Sequence, residues 1–207
     1  MDLARPIQAV IPGAQGRILA VLSRTTAELN LRTIARLSDV SIAQASRVLP
    51  HLVTLGMVDR REAPPSALFR LQRDHVASRA LLALADTRQT VLRELGQASN
   101  AMTPPPASLI VFGSFARGRA GSDSDIDVVV VRPADVSEDD ESWGVGLEAW
   151  RQRAEQITGN RVEFIEVGEE EIARLLESGK PLWTAIAQEG LVVSGRPMSE
   201  LRLARSA

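Results

Sequence analysis

Two short apolar runs, separated by a turn rich in glycine and acid, restrict what this chain can fold into more than any other feature of its sequence. Residues 109–112 read Leu-Ile-Val-Phe and end at Gly113, and Asp127 opens four consecutive valines, Val128 to Val131. An unbroken β-branched run is the pattern of a strand buried on both faces, so residues 109–131 read as strand, turn, short helix, loop and strand. Gly113 lets backbone approach a bound group with no Cβ in the way, and Ser114 adds a hydroxyl and an amide where the short helix starts. That combination suits a phosphate. Asp125 and Asp127 stand two apart as the second strand begins, so the pleat puts both carboxylates on one face and Ile126 on the other. Adjacent carboxylates repel unless a cation lies between them. Hard oxygen donors beside a phosphate-binding turn favour Mg²⁺ or Mn²⁺, and the implied chemistry is phosphoryl or nucleotidyl transfer.

Rival phosphate motifs fail on composition. Gly113 and Gly118 with Arg119 and Ala120 approach a P-loop but lack its lysine and hydroxyl residue, and no Gly-x-Gly-x-x-Gly fingerprint occurs. At Gly113, Ser114, Arg117, Gly118, Ser124, Asp125 and Asp127 the stretch resembles the minimal nucleotidyltransferases of the DNA polymerase beta superfamily. The resemblance implies an α/β (α+β) domain with a mixed sheet. It also implies an NTP substrate, with ATP the leading expectation, whose phosphates lie against Gly113 and Ser114 with Arg117 and Ser124 nearby. Asp125 and Asp127 then hold the metal. The family uses a third acid, commonly aspartate, on the neighbouring strand, for which Glu163 and Glu166 are the candidates. Three apart on one strand, they face opposite sides. Glu163 is the expected metal ligand and catalytic carboxylate, because it lies within the strand where an unpaired charge is costly, whereas Glu166 near the strand end can be solvated. Glutamate here departs from the family pattern, and pairing of Glu163 with Arg117 or Arg161 is its structural alternative.

The sequence has 207 residues, enough for two small domains, and no cysteine, which excludes disulfides and cysteine-ligated zinc. No export signal or run of roughly 18 apolar residues is visible, so a cytoplasmic, membrane-free protein is expected. A net charge of −2 hides an asymmetry: residues 1–74 carry +4, residues 75–101 +1 and residues 102–207 −7. The basic third points to nucleic acid at one end, the acidic remainder to metal at the other.

In the basic third, Ile18, Leu19 and Leu22 recur at helical spacing, Asn30 caps a second helix, and Ser41 caps a third over residues 42–55. Ile42, Ala45, Leu49, Leu52 and Leu55 form the apolar face of that third helix, and Gln44, Arg47 and His51 its polar stripe. Pro50 is expected to bend it. Residues 57–60 and 67–71, joined around Pro64 and Pro65, read as a hairpin. Residues 15–71 resemble a winged helix-turn-helix. That likeness places Gln44, Arg47 and His51 over base edges of duplex DNA and Arg60, Arg61 and Arg70 of the wing on phosphates. A winged domain reading a palindrome implies a homodimer. Asp74 is placed to cap the next helix, residues 74–98 read as one helical segment, and three prolines at 104–106 mark a boundary. The expected domains are therefore 1–73, winged helix-turn-helix; 74–103, helical connector and linker; and 104–207, nucleotidyltransferase.

Joined together, these modules imply a Mg²⁺-dependent enzyme moving an NMP from an NTP to a hydroxyl on protein or RNA, coupled to DNA binding and antitoxin-like in its autoregulation. The competing reading is a DNA-binding transcription regulator whose second domain only senses nucleotide.

Overall fold

The computed structural model describes residues 1–203, and side-chain caps at Asn30 and Ser41 set where two of its early helices begin. The segment Arg5–Thr87 forms one compact unit, and Met1–Ala4 with Arg88 and the residues after it forms another. The first unit contains α1 (Pro6–Val10), α2 (Gly13–Ser23), β1 (Leu29–Asn30), α3 (Leu31–Leu37), α4 (Ile42–Thr54), β2 (Val58–Ala63), β3 (Ser66–Leu71) and α5 (Val76–Ala85). Asn30 Oδ1 accepts from Thr33 N at 2.9 Å, starting α3. Ser41 Oγ accepts from Gln44 N at 3.1 Å while Gln44 Oε1 accepts from Ser41 N at 2.9 Å, a reciprocal cap that starts α4. Between these helices Asp39 adopts φ 50°, and its carbonyl accepts from Arg17 Nη1 at 2.8 Å, which fixes the turn.

Ala45, Leu49 and Leu52 of α4 pack with Ile18, Leu19 and Leu22 of α2, Ile34 of α3, and Phe69 and Leu71 of β3. The expected apolar face is narrower than its sequence pattern, because Ile42 and Leu55 at its ends are 54% and 47% exposed. Pro50 lies inside α4, which runs through it as one helix. The wing is an antiparallel β2–β3 pair, and the short β1 adds to β3 to make a three-stranded sheet. The segment read as one helix is two. α5 ends at Asp86 and packs Leu81 into the core of this unit, and its cap is His75 rather than Asp74: His75 Nδ1 accepts from Ala77 N at 3.2 Å.

The second unit holds α6 (Thr87–Asn100), β4 (Ser108–Phe112), α7 (Gly113–Ala116), β5 (Ile126–Arg132), α8 (Glu141–Thr158), β6 (Val162–Gly168), α9 (Glu169–Leu176), α10 (Pro181–Glu189), β7 (Leu191–Gly195) and α11 (Met198–Leu203). Its sheet has the order β6-β5-β4-β7, with β5 and β6 parallel and the other pairs antiparallel. The valine run is buried on both faces, as its composition demands. Val128 and Val130 join Trp143, Leu147, Trp150 and Ala154 of α8 and Leu95 of α6, whereas Val129 and Val131 join Ile172 of α9 and Ile186 of α10. Helix α6 lies hard against edge strand β7: a Cβ on Gly96 would fall 2.2 Å from the Val193 carbonyl oxygen. Covering an edge this way blocks unwanted strand pairing. Among the described residues no helix is long and apolar enough to cross a membrane.

Candidate active site

Because β4 and β5 pair antiparallel, the end of one strand meets the start of the other, and Phe112 is the register partner of Asp127. The chain then turns at Gly113 with φ 70°, a conformation that favours glycine. The carboxylate of Asp127 occupies the space a side chain would need there: a Cβ on Gly113 would lie 2.1 Å from Asp127 Oδ2. Gly113 thus seats Asp127 directly beneath the turn that carries Ser114. Ser114 is partly exposed, and its carbonyl accepts from Arg119 N at 2.8 Å.

In the parallel β5–β6 ladder Asp127 is opposite Glu163, and Val130 is opposite Glu166. Glu163 therefore shares a face with Asp127, and Glu166 lies on the other face. The reason expected for preferring Glu163 is reversed by the structure. Glu163 is solvent-exposed and ion-paired with Arg161, whereas Glu166 is the more buried acid. Glu166 Oε1 accepts from Arg132 Nε at 2.9 Å and from Trp143 Nε1 at 3.0 Å. Register, not burial, distinguishes the two.

Asp127 is half-buried and Asp125 exposed. Burial pushes the Asp127 carboxyl above its ordinary range, the Asp125 and Glu163 charges push it further, and Arg117 acts in the opposite direction. These are the electrostatics of a site that a cation relieves, and its donors are the hard oxygens that Mg²⁺ or Mn²⁺ takes. Asp125 and Asp127 fit such an ion. With Glu163 turned to Arg161, no group of three acidic, histidine or cysteine side chains among the described residues is gathered to hold a metal. Arg117 Nη1 lies 3.0 Å from Glu189 Oε2, and Ser124 Oγ accepts from Gly121 N at 3.0 Å, closing the loop before Asp125.

In the winged unit, Gln44, Arg47 and His51 are exposed on α4. The Gln44 side-chain oxygen is committed to the helix cap, and Arg47 Nε donates to the Ala43 carbonyl at 3.3 Å. Each wing arginine faces a carboxylate. Arg60 meets Glu62 at 2.7 Å, Arg61 Nε meets Glu28 at 3.1 Å, and Arg70 meets Asp59 at 3.3 Å. The Arg61 bond holds the Glu28 carboxyl below its ordinary range.

The family model described as nucleotidyltransferase domain matches residues 90–180, which span most of α6 to α9 and contain Gly113, Asp125, Asp127 and Glu163. These residues form a nucleotidyltransferase domain. The model described as IclR helix-turn-helix domain matches residues 16–62, covering most of α2 to most of β2, so a helix-turn-helix domain precedes it. Among solved structures, the crystal structure of a toxin–antitoxin with AMP-PNP matches at 17% identity over 55% of this chain and 80% of that chain, with a TM-score of 0.39. No curated protein matches the chain.

Two residues around the nucleotidyltransferase site escaped sequence reasoning. Asn160 follows Gly159 at the end of α8 and reads there as an ordinary turn residue, yet it is buried and donates to three carbonyls of the loop before Asp125. Arg88 sits at the start of α6, 25 residues before Gly113, and donates to the Phe115 and Ala116 carbonyls of α7. No local pattern links either residue to the motif it supports.

Proposed function

We propose that the nucleotidyltransferase domain moves the NMP of an NTP, ATP foremost, to a hydroxyl acceptor on protein or RNA, and that the winged unit binds duplex DNA. The observation that carries this reading is the seating of Asp127 against Gly113, with Asp125 beside it and Glu163 its register partner. The Gly113–Ser114 turn can come close to a triphosphate because no side chain intervenes. Asp125 and Asp127 would hold a divalent cation, and Glu163 would join them on leaving Arg161. When bound, the cation supplies charge neutralisation for the phosphates and a lowered pKa for the attacking hydroxyl. In the transfer, the acceptor oxygen forms a bond to the α-phosphorus and the bond between that phosphorus and the bridging oxygen breaks. Pyrophosphate leaves, and the hydroxyl proton is released. Alignment supplies most of the rate in such reactions, which is why residues that fix the turn matter.

A second reading, a regulator that senses nucleotide without transferring it, is favoured by the engagement of Glu163 with Arg161. Incubation with Mg²⁺ and α-labelled NTP separates the two. Transfer leaves label on a macromolecule, whereas sensing gives cation-dependent nucleotide binding alone.

A further inference from the structure

The loop joining Gly113 to Asp125 carries both halves of the site and is itself almost without regular structure: one helical turn, α7, then residues 117–125. A single turn does not hold itself together, because nucleation costs more than one hydrogen bond returns. Bonds within the loop are supplemented by donors from outside it. Arg88 Nε donates to the Phe115 carbonyl at 3.2 Å, Arg88 Nη2 donates to the Ala116 carbonyl, and the guanidinium lies 6.0 Å from the centre of the Phe115 ring. At the other end Asn160, 6% exposed, directs its amide nitrogen to the carbonyls of Gly121, Ser122 and Ser124 at 3.3, 3.3 and 2.9 Å. Its Oδ1 accepts from the Met1 nitrogen at 2.7 Å, and Ala4 N donates to the Ala120 carbonyl at 2.9 Å, with Leu3 buried between them in sequence. Gly159, in the left-handed region at φ 66°, ends α8 so that Asn160 meets this loop.

We propose that Asn160 and Arg88 are positioning residues that hold the two ends of this loop, Asn160 fixing Asp125 beside Asp127 and Arg88 fixing the Gly113–Ser114 turn. The proposal rests on the transfer reading and adds the residues that preorganise it. It also carries a consequence of connectivity. The chain leaves the nucleotidyltransferase unit after Ala4 and re-enters it at Arg88, so both covalent attachments of the winged unit end on residues that brace the site loop.

The test uses the full chain, Mn²⁺ affinity followed by electron paramagnetic resonance with a non-hydrolysable ATP analogue, and thermal melting. Asn160→Ala is expected to weaken Mn²⁺ binding by about 10–100-fold, the usual cost of losing a partner behind a metal ligand. Asn160→Asp keeps an oxygen for Met1 but sets a carboxylate against three carbonyls, and is expected to be at least as damaging. Transfer by these variants falls in kcat while KM for nucleotide stays near wild type. Arg88→Ala raises KM for nucleotide, and Arg88→Lys recovers part of the loss. Trp150→Phe, which removes the Trp150 Nε1 bond to the Leu95 carbonyl and shrinks a buried ring, lowers the melting temperature and leaves Mn²⁺ affinity unchanged. Wild-type Mn²⁺ affinity in Asn160→Asp, or losses in every variant that merely track melting temperature, overturns the proposal. Failure of the wild type to bind Mn²⁺ overturns the transfer reading instead. Amide exchange over residues 119–125 then judges the clasp, which is refuted if Asn160→Ala leaves that exchange unchanged.

Discussion

At Asp127 a carboxylate is held where burial and two like charges oppose its ionisation. Its folded-state pKa lies above the unfolded value, so the cation-free protein loses stability as pH rises through the carboxylate range towards neutrality. Asp127→Asn removes that loss. It should raise the melting temperature of the cation-free protein at neutral pH and abolish transfer. A lower melting temperature in calorimetry would refute the electrostatic account. Gly113→Ala meets both a left-handed φ and the Asp127 carboxylate 2.1 Å from the new Cβ. It should cost about 1–3 kcal/mol in denaturant unfolding and remove nucleotide binding. Gly113, Asp125 and Asp127 were legible in the sequence because their chemistry is concentrated in 15 residues with fixed spacing. The candidate third carboxylate was legible only as one of two. The pairing register that puts Glu163 opposite Asp127 depends on the crossover through α8, and the burial that sequence position implied belongs to Glu166. Asn160 and Arg88 were not legible at all, because a side chain that donates to a distant backbone leaves no periodic trace.

Among the elements, α4 was the most readable, since its capping residue and apolar spacing are local. Leu49→Ala, at a fully buried position, should destabilise the winged unit by about 2–5 kcal/mol while the nucleotidyltransferase unit melts unchanged. The wing was readable as a hairpin, but its ion pairs were not. Arg60, Arg61 and Arg70 each find a carboxylate on the surface, where such pairs contribute little stability yet withhold cations from phosphates. For duplex DNA binding, Arg47→Ala, at a base-edge position, should therefore relax sequence preference, and Arg61→Ala should reduce the salt slope by much less than the value of about 1 that a free phosphate contact gives. A salt slope reduced by about 1 in Arg61→Ala would contradict this account. The break between α5 and α6 at Asp86 was hidden because apolar spacing continues across it while the two halves pack into different cores.

On the scale of the whole chain, charge separates as its sequence showed. Eleven arginines and six acids fall within residues 5–87, and the acidic excess follows. The winged unit is enclosed in sequence by the nucleotidyltransferase unit, with Met1–Ala4 on one side and Arg88 onwards on the other. That arrangement could not be read beforehand, because four amino-terminal residues give no periodic signal. The central claim remains the transfer itself. The measurement that tests it most directly is label transfer from each α-labelled NTP in cell extract with Mg²⁺, using the wild type and its Asp125→Ala/Asp127→Ala variant. The account predicts label on a macromolecule with the wild type alone. Nucleotide binding without label, or equal labelling by the double variant, would contradict it.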